Sequence, residues 1–136
     1  MKKLFIDSDV ILDVSIERSV DITDSRKILC LVEDNIVKGF TSSLVFANLY
    51  YIKRKLIGHD KAINYLKDLK ILLNIINVSS SAVENALNST FNDFEDAIQY
   101  FSALENDIDY IITRNVKDYI KLQIPILTPT EFCKNN

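Results

Sequence analysis

The sequence predicts an α/β domain in which helices cover both faces of a mostly parallel sheet of about five strands. Short apolar runs alternate with longer segments of helical spacing along all 136 residues. Strands that are separated by helices tend to pair in parallel, and such a sheet is covered on both faces. The chain has only two Gly and two Pro and no linker-like segment, so we expect residues 1–136 to form a single three-layer α/β/α domain.

The first elements are predicted from apolar runs and helix-capping residues. Residues 4–6 are a short apolar run that predicts a buried strand. Helical spacing then predicts helices over about 9–16 and 24–34, and the run 36–40 predicts a second strand. The hydroxyl residues 41–43 are good N-caps, which places the start of a third helix there.

The remaining elements follow the same alternation. Gly58 punctuates the chain, and Pro129 is allowed in the first turn of a helix. In chain order the expected elements are a helix over 59–70, a strand over 72–78, a helix from 79–81 to about 89, a helix over 93–105, strands over 110–112 and 124–127, and a last helix after Pro129.

Composition indicates a soluble protein and gives little sign of a nucleic-acid interface. Apolar residues make up 48% and charged residues 26% of the chain, and no apolar run approaches the roughly 18 residues of a membrane helix. Asp7 interrupts the apolar start too early for a signal peptide, so we expect a cytoplasmic protein without membrane contact. Cys30 and Cys133 lack metal-site spacing. The net charge of −3 offers no footprint for duplex DNA, but a bound cation would still attract phosphate.

Three acidic stretches stand where a strand ends or a helix begins, at residues 5–9, 93–97 and 112–118. The carboxyl ends of parallel strands share one edge of the sheet, where ligands bind. Two carboxylates 4 Å apart repel by about 4 kcal/mol at an effective dielectric constant near 20, and a bound cation offsets this repulsion. Oxygen ligands suit Mg²⁺ or Mn²⁺, so the combination predicts a divalent-metal site.

Helix capping explains each stretch when it is taken alone. Asp7 could cap the first helix, and Asp93 with Asp96 imitates a capping box. Asn115 and Asp118 repeat that spacing after a predicted strand. His59 is the only histidine and stands among polar residues at a helix start, so we expect it at the surface, which argues against a zinc site or a histidine base. The three stretches together favour the metal site over three separate caps.

Four segments together resemble the PIN domain family, which includes the VapC-type toxins of bacterial toxin–antitoxin pairs. They are FIDSDVILD (residues 5–13), TSSLVFANLYYIKRK (41–55), DFEDAIQYFSA (93–103) and DYIITRNVKDY (109–119). They occur in the family's order and span nearly the whole chain. The resemblance implies a PIN-like fold and a ribonuclease that hydrolyses phosphodiester bonds with Mg²⁺ or Mn²⁺. It also implies an RNA substrate, an antitoxin partner and a homodimer.

The resemblance also assigns roles to residues. The expected metal ligands are Asp7, Asp96 and Asp118, and Asp93 joins them as an expected catalytic residue. Asn115 competes with Asp118 for the fourth motif position, but Asp118 is the acid that is present.

Five further residues have supporting roles under the same resemblance. Thr113 would orient the site through its hydroxyl, and Arg114 and Lys117 could steady a phosphate. The family usually has Glu where this chain has Asn48, which removes one negative charge, and Asp9 is an acid that could compensate.

Two other interpretations remain open at the level of sequence. Asn48 favours a PIN-like module that binds RNA or protein and cuts weakly or not at all. A receiver-like signalling domain is also α/β with clustered acids, but it needs an Asp at the end of the third strand, where this chain has Asn77-Val78-Ser79.

Overall fold

The computed structural model describes residues 1–15, 22–116 and 123–135, so Lys117 and Asp118 lie outside the described residues. The elements alternate as the sequence predicts. In chain order they are β1 (Lys3–Ile6), α1 (Ser8–Ser15), α2 (Thr23–Glu33), β2 (Lys38–Ser42), α3 (Ser43–Ile57), α4 (His59–Leu72), β3 (Asn74–Ile76), α5 (Ser80–Leu87), α6 (Phe94–Glu105), β4 (Tyr110–Ile112), β5 (Ile126–Leu127) and α7 (Pro129–Lys134).

The five strands form one sheet in the order β3-β2-β1-β4-β5, and every pair is parallel. Helices cover both faces, which confirms the predicted three-layer α/β/α class. The chain leaves β1 towards β2 and β3, then returns to the other side of β1 for β4 and β5. The strand order therefore reverses at β1, and ligands bind beyond the carboxyl ends of the strands at such a switch point.

The core explains why β1 is a short, uninterrupted apolar run. Leu4, Phe5 and Ile6 are all fully buried because the sheet is covered on both faces. Each such side chain contributes about 1.5–3 kcal/mol through burial. In β2, a Cβ on Gly39 would lie 2.6 Å from the Leu73 side chain, so the close approach of that segment requires glycine.

Several local predictions are confirmed, and several strand boundaries are wrong. The third strand covers only Asn74–Ile76 rather than 72–78, because α4 continues to Leu72, and the fifth covers Ile126–Leu127 rather than 124–127. The side chains of Ser42, Ser79 and Asp93 cap helices α3, α5 and α6, and the first turn of α7 contains Pro129. The second strand begins at Lys38 rather than at residue 36, because Asn35 has a positive φ of 59° and turns the chain first. None of the helices within the described ranges is both long enough and apolar enough to cross a membrane.

Candidate active site

Asp7 is the first residue beyond β1 and is held firmly at the carboxyl edge of the sheet. Its N–H donates to the Ile112 carbonyl of β4 at 3.0 Å, so strand pairing continues through it. Its carboxylate accepts the Ser8 N–H at 2.7 Å on Oδ1 and the Thr113 hydroxyl at 3.0 Å on Oδ2. The side chain is only 8% exposed. Burial, together with the nearby charge of Asp9, raises the pKa of Asp7 from 3.8 to about 6.

Asp9 lies in the first turn of α1, beside Asp7. Its Oδ2 accepts the Arg114 N–H at 3.1 Å and the Thr113 hydroxyl at 3.3 Å. Its Oδ1 is buried and has no hydrogen-bond partner among the described residues. Burial raises the pKa of Asp9 despite these hydrogen bonds, which stabilise the ionised form. The two neighbouring carboxylates are therefore kept close at an electrostatic cost.

Thr113 follows β4 and connects the two acids. It is fully buried, and its hydroxyl faces one oxygen of Asp7 and one of Asp9. The same hydroxyl accepts the Asn115 N–H at 3.2 Å, while the Asn115 residue itself is exposed. Adjacent strand ends thus bring the first and fourth sequence segments together, as the parallel sheet predicts.

Arg114 forms an ion pair with a residue that the sequence analysis did not single out. Its Nη1 donates to Asp13 Oδ1 at 2.7 Å, and Asp13 is 1% exposed. The Ser25 hydroxyl faces the other oxygen of Asp13 at 3.4 Å. Asp13 stands four residues after Asp9, one helical turn along α1, and this spacing was the available signal. The guanidinium predicted to steady a phosphate is engaged with a buried carboxylate.

The acidic stretch at residues 93–97 forms the start of α6. Asp93 is exposed, and its Oδ1 accepts the Asp96 N–H at 2.9 Å, so the capping interpretation of Asp93 is confirmed. Asp96 is half-buried in the first turn of this helix. Its position at the helix N-terminus favours a negative side chain.

Glu95 joins α6 to α3 and was missed as a site residue. Its Oε1 accepts hydrogen bonds from the side-chain amides of Asn48 and Gln99, the latter at 3.4 Å. Burial and the charge of Asp93 raise the pKa of Glu95, whereas the Asn48 hydrogen bond lowers it. The charge of Glu95 in turn contributes to the raised pKa of Asp7. Its place directly before Asp96 in the same motif was the only sequence signal.

The oxygen ligands at the carboxyl edge of the sheet suit a hard cation, but the described residues do not form a complete metal site. The side chains offer carboxylate, amide and hydroxyl oxygens, which Mg²⁺ and Mn²⁺ prefer. The unpartnered Oδ1 of Asp9 and the mutual repulsion of the acids both favour a nearby positive charge. Within residues 1–15, 22–116 and 123–135, no three His, Cys, Asp or Glu side chains are grouped to hold a metal. Asp118, a predicted ligand, lies outside that part of the chain.

His59 behaves as predicted. It is exposed at the start of α4, and its Nδ1 lies 2.8 Å from the Tyr50 hydroxyl of α3. No step at the carboxyl edge can therefore be assigned to the chain's single histidine.

Nearly the whole chain is similar to known proteins. The sequence pattern of the PIN domain matches residues 3–117. The chain is 31% identical to Ribonuclease VapC1 of Aquifex aeolicus over 138 residues, covering 98% of this chain and 94% of that protein.

Solved structures show the same fold. A toxin–antitoxin complex from Klebsiella pneumoniae superposes with a TM-score of 0.70 at 21% identity, covering 93% of this chain and 97% of that one. DNA-bound VapBC from Salmonella typhimurium superposes with a TM-score of 0.68 at 14% identity, covering 95% and 99%. The matched pattern and the sequence relative show that the chain belongs to the PIN domain family.

Proposed function

We propose that this protein is a divalent-metal-dependent endoribonuclease, the toxin of a toxin–antitoxin pair. The observation that carries the proposal is the pair of acids that follows β1. Asp7 and Asp9 are held side by side there by the buried hydroxyl of Thr113. Their pKa values are raised by burial, which marks a site where charge is kept for chemistry rather than stability. The family relative that is named a ribonuclease supports RNA as the substrate.

Under this proposal Asp7, Asp96 and Asp118 hold Mg²⁺ or Mn²⁺, and Asp93 lies close by on the same helix start. When bound, the cation supplies Lewis-acid chemistry: it lowers the pKa of a water and stabilises charge that develops on phosphate. The protein's own part is orientation. Thr113 fixes the Asp7 carboxylate, and the Asp9 side chain ties the end of β4 to α1 through the Arg114 N–H.

The proposal is tested with labelled RNA and purified protein in Mn²⁺, with and without EDTA. We expect cleavage that EDTA stops and that is lost in both Asp7→Asn and Asp96→Asn. Both changes keep the size of the side chain and remove its charge. Cleavage that persists in either variant would point to a contaminating nuclease and contradict the assignment.

A binding module without cleavage is the second candidate, and Asn48 is the observation that favours it. An amide at this position brings no negative charge, which weakens a metal site. The same assay separates the two candidates. Retention of RNA by the protein in EDTA, together with intact RNA in Mn²⁺, would favour the binding module.

An antitoxin is the first partner that we propose. The solved relatives include a toxin–antitoxin complex and VapBC assemblies. The cheapest check is the neighbouring genomic sequence, where a small reading frame should lie immediately upstream. Its product, added in equimolar amount, should form a complex with this protein and suppress cleavage.

A homodimer in the cytoplasm completes the proposal. Helix α3 presents exposed apolar side chains at Tyr51, Leu56 and Ile57, which are 60%, 61% and 42% exposed. Exposed apolar side chains are available to an interface between two copies of the chain. Light scattering during gel filtration should give the mass of two chains, and fractionation of cells should place the protein in the soluble cytoplasmic fraction.

A further inference from the structure

Positive charge is concentrated in the helical hairpin that α3 and α4 form. Residues 43–72 carry six Lys or Arg against two Asp, which is a net charge of +4. The whole chain has a net charge of −3, so the rest of the chain carries −7. A basic segment in an otherwise acidic chain is a sign of contact with nucleic acid or another polyanion. The overall charge therefore conceals a basic unit, which we call the α3–α4 hairpin.

Five of the six cations of the hairpin are exposed to solvent. The sixth, Lys53, is 7% exposed, and its Nζ lies 4.4 Å from the centre of the Tyr65 ring, so it is not available to a ligand. None of the exposed five forms an ion pair with an acid in the part of the chain that the structure describes. The exposed cations are Arg54, Lys55, Lys61, Lys67 and Lys70.

The spacing of these charges does not pair them. Side chains three or four residues apart are neighbours on a helix, and a face that serves only solvation typically mixes both signs at that spacing. Neither Asp60 nor Asp68 stands three or four residues from a Lys or Arg. Lys67 and Lys70 are three residues apart, so they repel each other. The hairpin thus retains positive charge that its own helices do not neutralise.

The hairpin starts at the carboxyl edge of the sheet and leads away from it. Helix α3 follows β2 directly, and its Asn48 bonds Glu95 at the start of α6, so its first turns lie beside the acidic stretch of residues 93–97. Arg54 and Lys55 come eleven and twelve residues after the start of α3, which places them about 17 Å further along the helix. A ligand that contacts both the acids and these cations must therefore be an extended chain.

RNA suits this surface better than a protein does. Phosphates along a single strand are bound by Lys and Arg that follow its backbone, and such binding needs no base contacts. Interfaces between proteins are depleted in Lys, whereas four of the five exposed cations are Lys. The acids at the carboxyl edge repel phosphate, so attraction for RNA has to come from another part of the molecule.

We infer that the exposed cations of the α3–α4 hairpin bind the phosphate backbone of single-stranded RNA, several nucleotides away from the bond that is cut. The inference rests on the proposed ribonuclease function and deepens it, because it names the surface that holds the substrate. Binding of this kind depends on charge rather than on base sequence. The hairpin therefore contributes affinity for RNA, and the carboxyl edge of the sheet determines where the strand is cut.

The test measures binding of a long labelled single-stranded RNA by fluorescence anisotropy in EDTA, where no metal contributes. Arg54→Gln with Lys55→Gln removes two charges from α3. Lys67→Gln with Lys70→Gln removes two from α4, and Gln keeps the helix propensity of the residues that it replaces. We expect each double variant to lose about tenfold in affinity at moderate salt. The slope of log affinity against log salt should become shallower by about 0.7 for each phosphate contact that is lost.

Lys38→Gln with Lys134→Gln is the matched control. It removes the same charge from two exposed lysines outside the hairpin, on β2 and α7. This variant should bind RNA like the wild type. Light scattering and urea unfolding of every variant check that the oligomeric state and the fold are unchanged.

Cleavage of substrates of two lengths tests the distance between the hairpin and the acids. In Mn²⁺, Arg54→Gln with Lys55→Gln should raise the KM for the long RNA about tenfold and leave kcat unchanged, because the lost contacts are far from the reacting bond. A dinucleotide at the acids does not reach Arg54, so its cleavage should be the same in the variant and the wild type. Slower cleavage of the dinucleotide by the variant would contradict the inference.

The outcomes separate this inference from the proposed function. Wild-type RNA affinity and salt dependence in both hairpin variants, with cleavage that Asp7→Asn abolishes, would overturn the role of the hairpin and leave the ribonuclease standing. A wild-type protein that neither binds nor cuts RNA would overturn both. Hairpin variants that bind RNA normally but no longer bind the antitoxin would assign the surface to a protein partner instead. An equal loss of RNA affinity in the control variant would show an effect of net charge alone and would also overturn the inference.

Discussion

The two ends of the central strands carry acids in opposite environments. At the amino end, Asp109 precedes β4, is exposed, and accepts the Lys3 N–H at 2.8 Å. At the carboxyl end, Asp7 follows β1, is 8% exposed, and has its pKa raised to about 6 by burial and by Asp9. Both carboxylates bond a backbone N–H, but only at the carboxyl end are acids buried beside one another.

The difference shows that shape alone does not locate the site. A surface depression of about 370 Å³ lies at the amino end, lined by Lys2, Asp109 and Pro125 among others. Its acid, Asp109, is exposed to solvent. Like charges at the carboxyl end are held together although this destabilises the fold, and such strain is retained where function needs it. Burial of charge therefore distinguishes the carboxyl end, where we propose the active site, from the amino end.

Substituting one acid at each end should give the largest contrast. Asp7→Asn should lower RNA cleavage by more than about a hundredfold, because even outer partners of metal ligands reach that range. In EDTA at pH 7.5 the same variant should be more stable than the wild type by about 1–3 kcal/mol, since the unfavourable buried charge is gone. Cleavage rates and urea unfolding measure the two effects.

Asp109→Asn is the matched control for the amino end. Its remaining oxygen can still accept the Lys3 N–H, so neither activity nor stability should change appreciably. The comparison between the two ends fails if Asp109→Asn reduces cleavage as strongly as Asp7→Asn does. It also fails if Asp7→Asn destabilises the metal-free protein.

Substitution of Arg114 tests whether its side chain stabilises the fold. Arg114→Ala leaves Asp13, which is 1% exposed, without its cation. Breaking a buried pair costs about 3–5 kcal/mol, and we expect about 2 kcal/mol because the Arg114 side chain is 35% exposed. Urea unfolding measures the loss, and Arg54→Ala, an exposed arginine of α3, is the control.

The same variant examines the predicted phosphate contact. If the guanidinium serves Asp13, the KM for RNA should change little while stability falls. A large rise in KM with unaltered stability would instead support a phosphate-binding role for Arg114.

Stability should also fall as pH rises, because the acids at the carboxyl end of the sheet are buried. The folded-state pKa of Asp7 is about 6 against an ordinary 3.8, so folding binds a proton. Its stabilising contribution is complete below 3.8 and is lost as pH rises through 6, which amounts to about 1.4 kcal/mol between pH 5 and pH 7.5. The raised pKa values of Asp9 and Glu95 act in the same direction.

Urea unfolding in EDTA at the two pH values measures this dependence. The wild type should be the more stable at pH 5, and Asp7→Asn should lose most of the difference. Equal pH dependence in the two proteins would assign the effect to other groups and weaken the contrast between the sheet ends.

The sequence predicted those parts of the site that depend on local patterns. Asp7 and Thr113 each end an apolar run, and parallel pairing puts such ends together. The Asp93 cap follows from residue type and spacing within one helix turn. These features need no knowledge of distant neighbours.

Contacts between helices could not be predicted in the same way. A basic run such as residues 53–55 is typical of a solvated helix face, yet Lys53 is 7% exposed, and its Nζ lies 4.4 Å from the centre of the Tyr65 ring on α4. The Asn48–Glu95 bond likewise depends on how α3 and α6 are placed by the sheet. Helix placement comes from packing of the whole core, which the spacing within one segment does not encode.

Thr113 offers the smallest and most selective test of the carboxyl end. Thr113→Val keeps the shape but removes the hydroxyl that faces Asp7 and Asp9, while each acid keeps a backbone N–H donor. We expect stability to fall by about 1 kcal/mol. Cleavage should fall about tenfold, because an outer partner that orients a metal ligand is lost.

Thr41→Val is the control that separates orientation from packing. Thr41 is also fully buried, on the neighbouring strand β2, but its hydroxyl donates to the Ile6 carbonyl at 3.1 Å rather than to an acid. It should lose similar stability and keep its cleavage rate and Mn²⁺ affinity. If both variants lose activity in proportion to stability, the hydroxyl of Thr113 serves only the sheet. If only Thr113→Val loses activity, its hydroxyl serves cleavage by holding Asp7 and Asp9 in place.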